Sequence, residues 1–210
     1  LLCGKPLIGW TIDATNKSNR ITNMLVSTND EKIAKVSRDL GAQVPFLRDE
    51  KFAQDKSPSW EYVKECIDRM HQQEGDPYDF VVILQPTSPI RNNFHIDEAI
   101  KFLEEKDADC VVSVCEFDHP IQWTGKLDST LSLDSFAKND SVNIRSQDLE
   151  ASYMLNGAIY ICRVSKFLEK KSLFLREKSY AFIMDKVSSV DIDNQQDFDF
   201  AEFLLNKKSN

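Results

Sequence analysis

The sequence predicts an α/β protein in which a mostly parallel sheet is covered by helices on both faces. Three observations predict it. Segments with apolar residues at helical spacing alternate with short apolar runs of strand length along most of the chain. Polar clusters follow several of those runs, "STND" at 27–30, "LRDE" at 47–50 and "QPTSPIR" at 85–91, which is where open α/β sheets present ligand-binding residues. The length of 210 residues suits one full α/β domain, or one domain with a small insertion. Strands alternating with helices imply right-handed crossovers and therefore a sheet buried on both sides.

The elements follow in order. "KPLIGWTIDAT" places Pro6 in a first turn with Leu7, Ile8, Trp10 and Ile12 behind it, a helix pattern. "NMLVST" is a short apolar run ending in small polar residues, which suits a buried strand. In "NDEKIAKVSRDLG", Asn29 or Asp30 caps a helix carrying Ile33, Ala34, Val36 and Leu40, and Gly41 stops it. "AQVPFLR" reads as strand, "SPSWEYVKECIDRMHQ" as helix, "DFVVILQ" as strand, "HIDEAIKFLEEK" as helix and "ADCVVSVCEF" as strand. The later part gives "YMLNGAIYICR" as strand, "VSKFLEKK" as helix, "YAFIMD" as strand and "QQDFDFAEFLLNKK" as a closing amphipathic helix.

Between them the alternation lapses over 119–152. That stretch is polar, weakly periodic and too long for a simple connection, so it reads as a functional or partner-binding excursion. No internal repeat or low-complexity tract interrupts the rest.

Composition narrows the function. No apolar run is long enough to cross a bilayer, and no basic stretch followed by an apolar one suggests a leader, so a soluble protein is expected. The five cysteines, Cys3, Cys66, Cys110, Cys115 and Cys162, form no CxxC pair, and four lie in apolar segments as free thiols would; a reducing cytoplasm suits them. With a net charge of −8, general attraction to nucleic acid or anionic membrane is not supported. If phosphate is bound, particular side chains must bind it. His71, His95 and His119 are far apart and show no metal spacing, although His119 opens the excursion and is placed to line a pocket.

Two short stretches carry chemistry. In "SSVDIDN" (188–194), Asp191 and Asp193 would project together from an extended segment while Ile192 points inward. Their repulsion requires a raised pKa, hydrogen-bond donors or a bound cation. The residues alone leave two readings open: a metal site, or Asp193 or Asn194 simply capping the final helix. In "LQPTSPIR" (84–91), Pro86 and Pro89 stiffen the exit of the strongest strand, and Gln85, Thr87, Ser88 and Arg91 offer side-chain donors and acceptors.

With these two stretches, "GKPLIGWTI" (4–12), "VSTND" (26–30), "GAQVPFLR" (41–48), "VVSV" (111–114) and "NGAIYI" (156–161) complete a series of blocks. Together they resemble the cytidylyltransferases that activate sialic acids, the CMP-N-acylneuraminate synthetases, over nearly the whole chain. The resemblance implies a Rossmann-like nucleotidyltransferase fold over 1–210 and a homodimer, with 119–152 as the inserted segment that exchanges across the dimer and borders the sugar site. It implies transfer of CMP from CTP to the anomeric hydroxyl of a nine-carbon keto acid, N-acetylneuraminic acid first, with pyrophosphate leaving. It also implies that Asp191 and Asp193 hold a divalent cation, Mg²⁺ or Mn²⁺, and are the catalytic carboxylates. Arg48 and Ser59 match nucleotide-binding positions. Gln85, Asn156 and Tyr160 match the sugar side, and Phe174 matches an apolar wall for the N-acyl group.

The chain departs from that pattern in two places. Family members open with a strand and a Gly/Arg/Ser/Lys-rich loop that cradles the triphosphate, and Leu1 and Leu2 correspond to the residues just after it, so that loop is expected to lie outside this sequence. Relatives carry an arginine two residues before the NGA motif and another beside "QDL", where this chain has Met154 and Ser146. Arg145 is then the expected partner of the sugar carboxylate. Legionaminic or pseudaminic acid becomes an alternative substrate, and a catalytically silent nucleotide-binding dimer module a further alternative.

Overall fold

The helices form where cap chemistry meets apolar spacing. The computed structural model describes residues 1–52, 58–75, 78–133 and 144–208. Helix α1 (Leu7–Asn16) starts behind Pro6, whose φ of −55° and missing N–H suit a helix start. Asp30 caps α2 (Glu31–Asp39) by accepting from the Lys32 and Ile33 N–H groups. Helix α3 (Ser59–Glu74) ends at Gly75, whose φ of 76° supplies the left-handed turn. Asn92 and His95 form a reciprocal capping box at the start of α4 (Asn93–Glu105). Helices α5 (Val164–Lys170) and α6 (Gln195–Lys208) complete the set among the described residues.

Four strands, β1 (Phe80–Ile83), β2 (Cys110–Glu116), β3 (Tyr153–Arg163) and β4 (Ser179–Met184), form one sheet in the order β1-β3-β2-β4. Strand β2 pairs parallel with β4, and β3 runs antiparallel to both β1 and β2. Three strands therefore share a direction, in keeping with the mostly parallel sheet predicted, and the fourth, β3, is inserted against them. The reason lies in the connection. A parallel neighbour needs a crossover, usually a helix, and between β2 and β3 the described residues hold only the 3₁₀ turns Ile121–Trp123 and Ser146–Asp148. The chain returns beside β2, and Phe117 N–H to Ser152 O at 2.8 Å extends that antiparallel ladder.

The predicted strands "NMLVST" and "AQVPFLR" meet through a parallel bridge, Leu25 to Gln43, reinforced by Val26 N–H to Gln43 O at 2.8 Å and Arg48 N–H to Thr28 O at 2.8 Å. Among the described residues they stand apart from the four-stranded sheet.

Alternate residues of the strands face two cores, as strand periodicity requires. Val111, Ile159, Ile161 and Met184 pack with Ile96, Ala99 and Leu103 of α4 and Ala14 of α1. Cys110, Val112 and Cys162 pack on the other face with Val63 and Ile67 of α3 and Phe167 of α5. A third cluster joins Leu2, Ile90 and Ala201, with Trp10, Ile192 and Phe198 against it, and fixes α6 onto α1. Along the excursion, Ile121, Leu127, Leu131 and Leu133 are exposed, as are Tyr153, Met154 and Leu155 at the start of β3. Residues 134–143 of that excursion lie outside the described residues.

Candidate active site

The exit of β1 is built as a rigid turn over a buried cation. Ser88 N–H donates to Gln85 O at 3.4 Å. Beneath it Arg91, 1% exposed, donates from Nη2 to Thr11 Oγ1 at 2.7 Å and to Gln85 O at 3.3 Å. Burial lowers the Arg91 pKa to about 10, which leaves it cationic at neutral pH. The same turn receives the segment after β4, because Ile192 N–H donates to Thr87 O at 2.9 Å.

Strand β3 brings the third wall. Gly157 has φ +71°, and a Cβ placed on it would fall 2.6 Å from Gln85 Oε1 and 3.1 Å from Asp191 Oδ2. Only a glycine lets these two side chains close over the strand without strain. Asp191 is half-buried, and its Oδ1 is inaccessible and has no hydrogen-bond partner. A carboxylate oxygen in that state is poised to accept from a ligand or a cation. Burial first, then the charge of Asp191 and the neighbouring Tyr62, push the Tyr160 phenol above its ordinary pKa. Tyr62, on α3, stacks in turn under the Arg48 guanidinium at 4.4 Å. Arg48 is held by Nε to Ser27 Oγ at 3.0 Å and by a second bond to Ser27 O. Ser27, Arg48 and Tyr62 are thus in direct contact, and Tyr160 feels the charge of Asp191.

The two readings of "SSVDIDN" separate at the α6 N-terminus. Asn194 Oδ1 accepts from Gln196 N–H at 2.8 Å and Asp197 N–H at 3.2 Å, and Asp197 Oδ2 accepts from Asn194 N–H at 3.1 Å. Asn194 and Asp197 supply the cap, and the exposed carboxylate of Asp193 takes no part in it. Ile192 packs into the third core cluster, the anchor between the two aspartates that an extended segment requires.

The remaining expected residues are placed less uniformly. Ser59 is the exposed first residue of α3, three positions before Tyr62 and so on the same helix face. Phe174 is 58% exposed and is not a core phenylalanine. Its loop is fixed by Leu173 O, which accepts from the Cys110 and Cys162 thiols at 3.5 Å each. Arg145 is exposed at the start of the 3₁₀ turn Ser146–Asp148. Among the described residues, no hydrogen bond links Arg145 or Phe174 to Gln85, Tyr160 or Asp191. His119 is exposed.

Asn156 corrects the expectation that its own amide orients a sugar. It is 3% exposed, and both ends of the amide are engaged inside the protein, with Ser113, Ala158 and Ser189. Reading the sequence also missed Tyr62, Ser27, Ser113 and Ser189 and gave Arg91 no place of its own. Tyr62 had one available signal, its helical offset from Ser59; the others depend on contacts between distant segments.

Among the described residues, no group of three or more His, Cys, Asp or Glu side chains is close enough to hold a metal ion. Asp191, half-buried, and Asp193, exposed, stand two residues apart on the segment that leads into α6.

The turn after β1, the segment after β4 and Gly157 of β3 thus meet at one place, and its family match makes the chain a nucleotidyltransferase. The solved structure of CMP:2-keto-3-deoxy-manno-octonic acid synthetase complexed with CTP matches 99% of this chain and 90% of its own, with a TM-score of 0.69 at 12% identity, which establishes the shared fold. The cytidylyltransferase family model matches residues 1–209, and the chain belongs to that family. It is 36% identical over 210 residues to the N-acylneuraminate cytidylyltransferase of Escherichia coli O18:K1:H7, spanning all of this chain and 48% of that protein. It is 34% identical over 206 residues to the CMP-N,N'-diacetyllegionaminic acid synthase of Legionella pneumophila, covering 98% of this chain and 87% of that one. The chain thus spans about half the length of the first of these relatives.

Proposed function

We propose that this chain transfers CMP from CTP to the anomeric hydroxyl of a nine-carbon keto acid and releases pyrophosphate. The observation that carries the reading is the meeting of Gln85 and Asp191 over Gly157, with one Asp191 oxygen buried and unpartnered. The anomeric oxygen bonds to the α-phosphorus, its proton departs, and the bond from that phosphorus to the bridging oxygen breaks. Arg48, held by Ser27 and flattened on Tyr62, presents a fixed cation to the nucleotide, with Ser59 on the same helix as Tyr62. Gln85 orients the sugar from the turn that Arg91 stiffens, and the half-buried Tyr160 contacts the sugar from β3. Phe174, exposed in its loop, offers the N-acyl group an apolar surface. Asp191 and Asp193 hold the divalent cation, Mg²⁺ or Mn²⁺, which when bound offsets the charge that builds on the phosphate oxygens.

N-acetylneuraminic acid is the first candidate substrate. Met154 favours a second reading. It is 45% exposed, lies opposite Cys115 in the sheet and carries no charge for the sugar carboxylate. Arg145 then takes that role, and legionaminic or pseudaminic acid becomes the acceptor. A homodimer would cover the exposed apolar side chains of the excursion and of the start of β3. All five cysteines are free, which suits a reducing cytoplasm, and no helix among the described residues is long and apolar enough to cross a membrane.

The test is pyrophosphate release with CTP, Mg²⁺ and a panel of keto acids. Release with one acid and no other names the substrate. Binding of CTP with no release for any acid would instead favour a catalytically silent nucleotide-binding module.

A further inference from the structure

Asn156 is the centre of a buried hydrogen-bond chain that ties three segments of the site together. Ile159 N–H donates to Ser113 Oγ at 2.8 Å, and Ser113 Oγ donates to Asn156 Oδ1 at 2.5 Å. Asn156 Oδ1 also accepts from Ala158 N–H at 3.2 Å. The other end of the amide, Nδ2, donates to Ser189 Oγ at 2.8 Å, and Ser189 Oγ donates to Asp185 O at 2.7 Å. A backbone N–H can only donate, so Ala158 fixes which end of the amide is oxygen. Each hydroxyl then both accepts and donates, and the chain has one consistent direction.

The chain sits where the regular pairing of the sheet is broken. The β2–β3 register shifts between Val112 and Val114, and Ser113 supplies through its side chain the acceptor that Ile159 N–H needs there. Ser113, Asn156 and Ser189 are all buried. Ser189 closes the 3₁₀ turn Val187–Ser189 and precedes Asp191 by two residues. Gly157, next to Asn156, lies against the Asp191 carboxylate. A short ring therefore closes: along the backbone from Ser189 to Asp191, across to Gly157, back one residue to Asn156, and through its amide to Ser189.

We infer that Ser113 and Ser189 are positioning residues that, through Asn156, fix the Asp191 carboxylate for its cation. The inference rests on the proposed cation role of Asp191. Neither serine touches substrate; each removes a freedom of the segment that carries the ligand. Without the Ser189 hydroxyl the Asn156 Nδ2 keeps only the weak Met184 sulfur acceptor at 3.5 Å, and the turn before Asp191 loses its hydroxyl tie to β3.

The experiment measures Mn²⁺ binding to the protein with CTP present and keto acid withheld, against CTP alone, by calorimetry and by the loss of the free Mn²⁺ spectrum, together with the Mg²⁺ dependence of pyrophosphate release. Ser189→Ala should weaken Mn²⁺ binding roughly ten-fold, the usual scale for removing an outer support of a metal ligand. The Mg²⁺ requirement should rise in parallel, and KM for CTP measured at saturating Mg²⁺ should stay near wild type. Ser189→Thr, which keeps the hydroxyl, should recover most of the affinity. Ile67→Val, which trims the opposite core, should lower the melting temperature without changing Mn²⁺ binding. If Ser189→Ala does not fold, Ser113→Ala breaks the same chain from the other side and should weaken binding likewise. Wild-type Mn²⁺ affinity in a folded Ser189→Ala or Ser113→Ala protein would overturn the positioning role while leaving Asp191 a ligand. Equal Mn²⁺ binding by wild type and Asp191→Asn would remove the cation reading itself, and this inference with it.

Discussion

Gly157 and Gln85 approach so closely that a Cβ on the glycine would fall 2.6 Å from Gln85 Oε1. Gly157→Ala therefore meets two penalties. The left-handed φ of +71° costs an L-residue about 1–2 kcal/mol, which urea denaturation should show as lost stability. Gln85 Oε1 is the end of a flexible side chain and will swing away, and Asp191 Oδ2, at 3.1 Å, must also give. The folded fraction should bind CTP but release pyrophosphate far more slowly. Full turnover would disconnect Gln85 and Asp191 from the chemistry.

Asp193 and Asn194 should separate cleanly in mutants. Since Asn194 and Asp197 form the α6 cap, Asp193→Asn should leave the melting temperature unchanged and abolish most Mg²⁺-dependent turnover. Asn194→Ala should do the reverse, costing about 1 kcal/mol of stability with turnover retained. Thermal melts and initial rates on the two proteins check both halves.

Tyr62 carries a prediction for the nucleotide. Its ring supports the Arg48 guanidinium at 4.4 Å, a contact worth about 0.5–1 kcal/mol in a partly exposed setting. Tyr62→Ala should then raise KM for CTP roughly two- to five-fold, with a smaller effect on the keto acid. An equal rise for both substrates would place Arg48 elsewhere than on the nucleotide.

Acid should act on the fold through Asp30. The Ile33 and Lys32 N–H groups hold its carboxyl below the ordinary value of 3.8. A depressed folded pKa gives stability that is present above that ordinary value and lost as pH falls through the lower, folded one. Wild type should therefore lose more melting temperature below about pH 4 than Asp30→Asn, whose amide caps without titrating. Parallel acid limbs in the two proteins would count against the cap as an acid-sensitive contact.

Much of this architecture is local and was legible in the chain. The apolar spacing and the cap residues located the six α-helices found among the described residues, and "YMLNGAIYICR" spans the same residues as β3. Gln85 of "QPTSPIR" and Gly157 of "NGA" lie against each other, the first in the turn after β1 and the second inside β3 where its register with β2 shifts.

What the sequence determined by itself is each segment's own preference, since spacing, caps, prolines and glycines act within a few residues of where they stand. Tertiary structure decided how the segments use one another. The direction of β3 follows from pairing with β1 and β2, which apolar patterning does not encode, because a strand alternates its faces whichever way it runs. Asn156 turned inward because Ser113 and Ser189, remote in sequence, offered both ends of its amide a partner that burial made necessary. Asp193 was left out of the cap because its neighbour took it, and Arg48 found Tyr62 because α3 crosses beside it. These are long-range choices, settled by which buried polar groups are satisfied only once the chain has closed on itself.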